Sequence, residues 1–383
     1  MSASKTMVSS NGWKPLGLSS SVDLNLSKTL RCGQSFRWRK LNDSEGESWV
    51  GVIGRRVYGL REDGTGDVCY RVLARQDEKE EGDEERLRNY LHLDRDLVQL
   101  YDRWSAADER FRGTGERYGG LRLLRQDPAE CLFSFICTSN NNIARITKMI
   151  ESLCAEYGEK IYTSGDTTFH TFPTIEQLAA AEEEKFRDLG FGYRARFVTS
   201  AAKQVIERGG ETWLNGLTSE TMSREKVRSE LMQLMGVGRK VADCVALFSL
   251  NRYDIVPVDT HVWQIAQSYW PKLKGKTLTP SLHDEVNNLF CDKFGDYAGW
   301  AHSVLFASDL AFFQKEELLL KKRESGEMEK VKVERVRLEG VKLEKVKTET
   351  TTVIEEVDLS ERSMRRMRRE KVKYESAPSR VSI

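Results

Sequence analysis

The texture of the chain changes at about residue 126, and that change limits the fold more than any other feature. Before it, apolar residues alternate with polar ones and glycines, in Trp49-Val50-Gly51-Val52-Ile53-Gly54, Val57-Tyr58-Gly59-Leu60 and Val68-Cys69-Tyr70-Arg71-Val72-Leu73. Short runs of period two between turn residues make antiparallel strands. After it, apolar residues recur at three and four positions, as in Ile143, Ile146, Ile150 and Leu153, or Phe197, Ala201 and Val205. That is the spacing of a helix with one buried face. The expected class is therefore α+β, with an antiparallel-sheet domain over residues 23–125 followed by a mainly α-helical domain over residues 126–320.

Three segments fall outside these domains or interrupt them. Residues 1–22 are Ser-rich, lack acids and read as a flexible lead. Asp77-Glu78-Lys79-Glu80-Glu81-Gly82-Asp83-Glu84-Glu85 is too acidic to pack and reads as a solvated loop. Residues 321–383 hold a five-residue repeat that starts at Val331, Val336, Val341 and Val346. A period of five matches neither 3.5 nor 3.6, so the tail is expected to be a charged, disordered, low-complexity segment. Its cluster Arg365-Arg366-Met367-Arg368-Arg369 has the composition of a nuclear import signal or of a phosphate-binding arm. The nucleus is the expected compartment, with the mitochondrion left open by the acid-free lead.

Seven cysteines (Cys32, Cys69, Cys131, Cys137, Cys154, Cys244 and Cys291) are odd in number and scattered, and no two are spaced C-x2-C. This excludes a disulfide framework, a zinc ribbon and a cysteine-ligated cluster, and no cofactor or metal is expected. No run of about 18 apolar residues suggests a membrane span. The 60 Lys and Arg against 59 Asp and Glu give a net charge of +1, which by itself argues against a nucleic-acid partner. The total is a cancellation. The tail carries 18 basic and 13 acidic side chains, leaving 42 and 46 for residues 1–320, which are thus slightly acidic.

Leu231-Met-Gln-Leu-Met-Gly236-Val237-Gly238-Arg239-Lys240 is the most informative stretch. An apolar helical run ends at Gly236, a tight turn follows, and a second helix begins near Arg239. Glycines in such a turn expose backbone N–H groups at a helix N-terminus, where a phosphate oxygen binds without side-chain charge. Lys240 follows at once, where the positive end of the helix dipole disfavours the ammonium form. A neutral lysine amine is a nucleophile for a sugar C1′ and forms a Schiff base. Asp259, two residues after Pro257 at an expected helix N-cap, supplies a carboxylate for developing oxocarbenium charge.

The sequence resembles the 8-oxoguanine DNA glycosylase/lyases of the helix-hairpin-helix superfamily in Gly33-Gln34-Ser35-Phe36-Arg37-Trp38-Arg39, Ser139-Asn140-Asn141-Asn142-Ile143-Ala144-Arg145, Leu189-Gly190-Phe191-Gly192-Tyr193-Arg194-Ala195-Arg196, the hairpin through Trp263, and Ala298-Gly299-Trp300-Ala301-His302-Ser303-Val304-Leu305-Phe306. The resemblance implies that the sheet domain packs on the hairpin domain. It also implies a reaction: excision of 8-oxoguanine, and by extension formamidopyrimidine guanine, opposite cytosine, followed by β-elimination at the abasic site.

By the same resemblance, Lys240 and Asp259 are catalytic. Gly33, Cys244, Pro257, His302 and Phe306 hold the flipped base. Asn140, Arg145 and Arg194 meet the orphaned cytosine, with Tyr193 as the wedge. Gly236, Val237, Gly238, Lys240 and His261 bind phosphate. Cys244, four residues after Lys240 on one helical face, is expected to pair with it as a thiolate. The family usually carries glutamine where His302 stands, so a pH dependence between about 5.5 and 7.5 is expected.

The partner implied is double-stranded DNA with an oxidised guanine, bound by a monomer through few phosphate contacts and so with a shallow salt slope. Downstream repair proteins are further partners to test. Two other readings stay open at this stage: a monofunctional alkyl-base glycosylase using Asp259 alone, and a non-catalytic lesion-binding protein.

Overall fold

A computed structural model describes residues 12–43, 46–76 and 82–324. Five strands, β1 (Lys14–Ser19), β2 (Trp38–Asp43), β3 (Gly46–Ile53), β4 (Arg56–Glu62) and β5 (Asp67–Arg75), form one antiparallel sheet in the order β1-β5-β4-β3-β2. The alternating runs of the sequence are β3, β4 and β5. The first strand was not expected: Lys14 pairs with Tyr70 inside the segment read as a flexible lead. Its anchor is Trp13, buried between the guanidinium groups of Arg61 and Arg71 at 4.3 and 4.9 Å from its ring. Cation–π contacts of that kind join residues far apart in sequence.

The acidic segment is corrected in part. Asp83, Glu84 and Glu85 open a helix, Asp83–Tyr90, where carboxylates suit the positive end of the dipole. Asp83 also receives Arg56 at 2.6 Å on one carboxylate oxygen and Arg75 on the other. Residues 77–81 of that segment lie outside the described residues.

From Pro128 onward the chain is mainly helical, as the periodicity predicts, with one exception. The strands β6 (Lys160–Ser164) and β7 (Thr167–His170) make a small antiparallel hairpin. The segment that leads into β2 shares a core with the helical domain. Cys32 and Phe36, from the N-terminal part, are buried with Phe135, Cys244, Phe248 and Trp300. A second cluster, including Leu24, Leu30, Trp38, Tyr58 and Leu60, fills the space beneath the sheet. The described residues up to Lys315 make one compact unit. The last described helix, Ala311–Glu324, crosses the expected boundary at 320. The repeat and the arginine cluster of the tail lie outside the described residues.

The Gln34–Trp38 segment joins the two layers. Gln34 Nε2 donates to the carbonyls of Thr29 (2.9 Å) and Arg122 (2.8 Å), and its Oε1 accepts from Leu124 N (2.9 Å). Gln126 Nε2 donates to the Gln34 carbonyl at 2.7 Å. Trp38 Nε1 donates to Tyr90 Oη at 3.0 Å, and Arg37 donates to the His170 carbonyl at 2.6 Å. Gln34, Arg37 and Trp38 each find a partner far along the chain, as buried polar groups require. The result is a rigid turn at Gly33.

Candidate active site

The hairpin begins with the helix Arg224–Leu231, capped by Ser223 Oγ on Lys226 N at 3.2 Å. It ends five residues earlier than the sequence suggests, and a series of turns carries the chain from Met232 to Gly236. Gly236 has φ +81°, and a Cβ there would lie 2.6 Å from the Phe197 side chain, so both backbone and space select glycine. The second helix, Arg239–Ser249, starts where expected. Its first internal bond runs from Ala242 N to the Gly238 carbonyl at 2.9 Å. The N–H groups of Arg239, Lys240 and Val241 precede it, and Gly238 supplies no side-chain cap. That leaves an anion site made of backbone. The Val237 amide is not part of it, because it donates to the Leu234 carbonyl at 3.1 Å.

Lys240 sits in the first turn of this helix, and its side chain reaches toward the end of the helix Pro128–Ile136. Nζ donates to Thr138 Oγ1 at 3.2 Å and stands 5.3 Å from the centre of the Phe135 ring. Asp259 caps the helix Thr260–Tyr269, its Oδ1 accepting from Val262 N at 2.9 Å. This is the N-cap read from the sequence. One carboxylate oxygen is committed to the helix, and the other remains available to the cavity.

Lys240 and Asp259 line one narrow cavity of about 50 Å³, together with Gly33, Cys244, Pro257, His302 and Phe306. Every residue assigned to catalysis or to the base is therefore in one place. Cys32, Phe248 and Val262 complete the walls. The cavity opens into a wider cleft of about 410 Å³ that adds Thr138, Asn141, Ile143, His261 and Phe312. Thr138 carries no sequence signal of its own. Only its distance to Lys240 brings it into the site.

Gly33 has φ +84°, and a Cβ there would lie 2.9 Å from Ile143 Cδ1. His302 is 5% exposed, and burial pushes its imidazole down to about 4. It is neutral throughout the range in which a pH dependence was expected, so that expectation is corrected. Its Nδ1 faces the Gly299 carbonyl at 3.4 Å, while the buried Nε2 has no protein partner. The carbonyl fixes the proton on Nδ1 and leaves Nε2 as an acceptor. The thiolate expected at Cys244 is also corrected. Burial pushes this thiol up to about 12, and the nearby Lys240 offsets only part of that. Cys244 is a neutral, apolar wall.

The residues expected on the opposite strand form a second group. Asn140 adopts the left-handed conformation at φ +48°. Arg194, 2% exposed, donates to the carbonyls of both Ser139 and Asn140 and lies 4.5 Å over the Tyr193 ring. Tyr193, 53% exposed, donates its hydroxyl to the Ser139 carbonyl at 3.1 Å. Arg145 donates to the Gly190 carbonyl at 3.3 Å from an exposed position. Arg194 is thus a brace for the Asn140 turn, and Asn140 and Tyr193 are its exposed tips. His261 holds Asp309 at 2.9 Å and stands edge-on to Phe306.

A backbone anion site that delivers a lysine amine beside a capping aspartate, in a cavity between a sheet domain and a helical domain, defines the class of helix-hairpin-helix base-excision proteins. Two family descriptions match in tandem. Residues 18–132 match "8-oxoguanine DNA glycosylase, N-terminal domain", and residues 133–279 match "HhH-GPD superfamily base excision DNA repair protein". The N-glycosylase/DNA lyase OGG1 of Arabidopsis thaliana is 41% identical over 302 residues, 78% of this chain and 80% of that protein. The N-glycosylase/DNA lyase of Saccharomyces cerevisiae is 36% identical over 318 residues, 75% and 84% of the two chains. The chain belongs to the N-glycosylase/DNA lyase family.

Solved structures agree. MBOgg1 with a low-affinity DNA ligand superposes with a TM-score of 0.65 at 32% identity, covering 75% of this chain and 92% of that one. The 8-oxoguanine glycosylase/lyase of Clostridium acetobutylicum, bound to duplex DNA with cytosine opposite 8-oxoguanine, superposes with a TM-score of 0.64 at 28% identity, covering 74% and 91%.

Proposed function

We propose that this protein excises 8-oxoguanine from duplex DNA where it faces cytosine, and then cleaves the strand at the abasic site. Formamidopyrimidine guanine is the expected second substrate. One observation carries the reading: the Lys240 amine, held by the Thr138 hydroxyl, and the Asp259 carboxylate, held by the Val262 amide, come from two helices and line the same cavity.

The target base cannot be attacked within the stack, so it must be extruded into the cavity. The lone pair of Lys240 Nζ then bonds to C1′ while the C1′–N9 bond breaks and its electron pair leaves with the base. Asp259 stabilises the positive charge that develops on the sugar. Nitrogen loses a proton to the departing base, and opening of the C1′–O4′ bond, with O4′ taking up a proton from water, gives the Schiff base. Removal of a C2′ proton then expels the 3′ phosphate. A hydrolytic glycosylase needs no amine at this position, which disfavours the monofunctional reading.

Recognition follows from the walls. 8-Oxoguanine carries N–H at N7, where guanine has an acceptor, and the Gly33 carbonyl is the acceptor proposed to read it. His302 Nε2, buried and unpartnered, accepts from the N–H groups of the base's Watson–Crick edge. Phe306 and Cys244 take the two faces of the base. Asn140 and Arg145 attend the cytosine, Arg194 serves them by bracing the Asn140 turn, Tyr193 wedges the duplex, and His261 and the hairpin amides bind phosphate. Borohydride trapping on duplexes with one 8-oxoguanine opposite each of the four bases tests the reading. Trapping is expected most strongly opposite cytosine and not at all with Lys240→Gln. Equal trapping by that variant would overturn the assignment.

A further inference from the structure

We propose that Thr138 is a positioning residue that aims the Lys240 amine at C1′. This deepens the functional reading above and rests on it.

Thr138 lies just past the helix Pro128–Ile136, and both of its donors serve one carbonyl. Its backbone N–H reaches the Phe135 oxygen at 3.0 Å, and its hydroxyl reaches the same oxygen at 2.7 Å. A hydroxyl has a single proton to give. With that proton committed to Phe135, the oxygen can meet Lys240 only through a lone pair, and it accepts from Nζ at 3.2 Å. An amine that gives one N–H to this oxygen carries its own lone pair on another tetrahedral vertex, directed away from Thr138. The Phe135 ring, 5.3 Å from Nζ, limits the swing of the side chain.

Lysine needs such a restraint. Its four-carbon stem has more rotamer freedom than almost any other side chain, and attack requires near-attack geometry. Threonine suits the task because branching at Cβ stiffens χ1 and fixes the acceptor. Thr138 lines the wider cleft but not the narrow cavity, so it holds the amine from the cleft side, outside the space for the base. It neither gives nor takes a proton in the step. Nζ–C1′ forms, C1′–N9 breaks, and the proton lost from nitrogen goes to the departing base, which left with the electron pair of that bond.

The test compares wild type with Thr138→Val, Thr138→Ala and Thr138→Ser on a duplex with one 8-oxoguanine opposite cytosine. Single-turnover base release, the initial rate of borohydride trapping, duplex affinity and the thermal midpoint are measured together. Val and Ala are expected to slow both rates about ten-fold, the scale of one lost hydrogen bond to lysine, with affinity within about two-fold of wild type. Ser is expected to restore both rates to within about three-fold. Two results would overturn the proposal: Val and Ala reacting at the wild-type rate, or Ser impaired as much as Val with rate and affinity falling in step. If Val does not fold, Ala against Ser decides. Absence of trapping by wild type is a different result and defeats the functional reading itself.

Discussion

Arg228 grips Asp243 through two nitrogens, at 2.6 and 3.3 Å, where the two side chains are 8% and 0% exposed. The pair ties the first helix of the hairpin to the second. Burial pushes the Asp243 carboxyl up to about 7 although Arg228 opposes it, while His283, pushed down to about 4, faces it as a neutral ring.

Removing only the arginine leaves a buried carboxyl without its partner. Arg228→Met is therefore expected to cost about 3–5 kcal/mol of stability at pH 8, measured by urea unfolding. The folded-state value lies above the unfolded one, so the protonated carboxyl is favoured in the fold, and this contribution disappears as pH rises through about 7. The cost of Arg228→Met should shrink at pH 5.5. A cost that is the same at both pH values would show that Asp243 does not titrate there.

Asn140 separates strain from recognition. Its φ of +48° is easier for glycine, so Asn140→Gly should leave stability unchanged or raise it by up to about 1 kcal/mol. The preference for cytosine in the opposite strand should fall in the same variant. Arg194→Ala should lose both, because the buried guanidinium also braces the turn. Opposite-base preference retained in Asn140→Gly would remove Asn140 from the recognition group.

The parts of this molecule that were legible in its sequence are those decided locally. Arg239 opens a helix because Gly236 and Gly238 make the turn before it. Asp259 caps a helix with its own carboxylate, and alternation alone places β3, β4 and β5. What was not legible depends on partners far along the chain. β1 needs Arg61 and Arg71 around Trp13, and Asp83 joins a helix while it binds Arg56 and Arg75. The same holds within the site. The residue types at Cys244 and His302 suggest charges at both, but the depth of the cavity, which no spacing reveals, removes them.

The neutrality of His302 has two measurable effects. Base release should show no inflection between pH 5.5 and 7.5 that disappears in His302→Gln, because the buried imidazole takes up a proton only near 4. Stability should respond instead. The unfolded histidine protonates near 6.5 and the folded one near 4. Between these values only the unfolded chain gains the proton, so this contribution is complete above about 6.5 and falls, by at most about 3 kcal/mol, as pH drops through 4. Thermal midpoints of His302→Gln should therefore fall less than those of wild type between pH 7 and pH 5. An activity inflection near 6.5 that depends on His302 would refute this account.

The hairpin offers a charge-free test of how a slightly acidic body holds DNA. Alanine at Gly236 must adopt φ +81° and place its Cβ 2.6 Å from Phe197, so Gly236→Ala should cost about 1 kcal/mol through the backbone alone and more through the clash. Its duplex affinity should fall about ten-fold at every salt concentration. The slope of log affinity against log salt should not change, because no cation has been removed. Adding Phe197→Ala should recover the steric share and leave the backbone share. Arg196→Ala, which removes an exposed charge two residues beyond Arg194, should instead lower the slope by about 1. If Gly236→Ala also flattened the slope, the hairpin would be acting by orienting basic side chains, and the amides of Arg239, Lys240 and Val241 would not be the phosphate site.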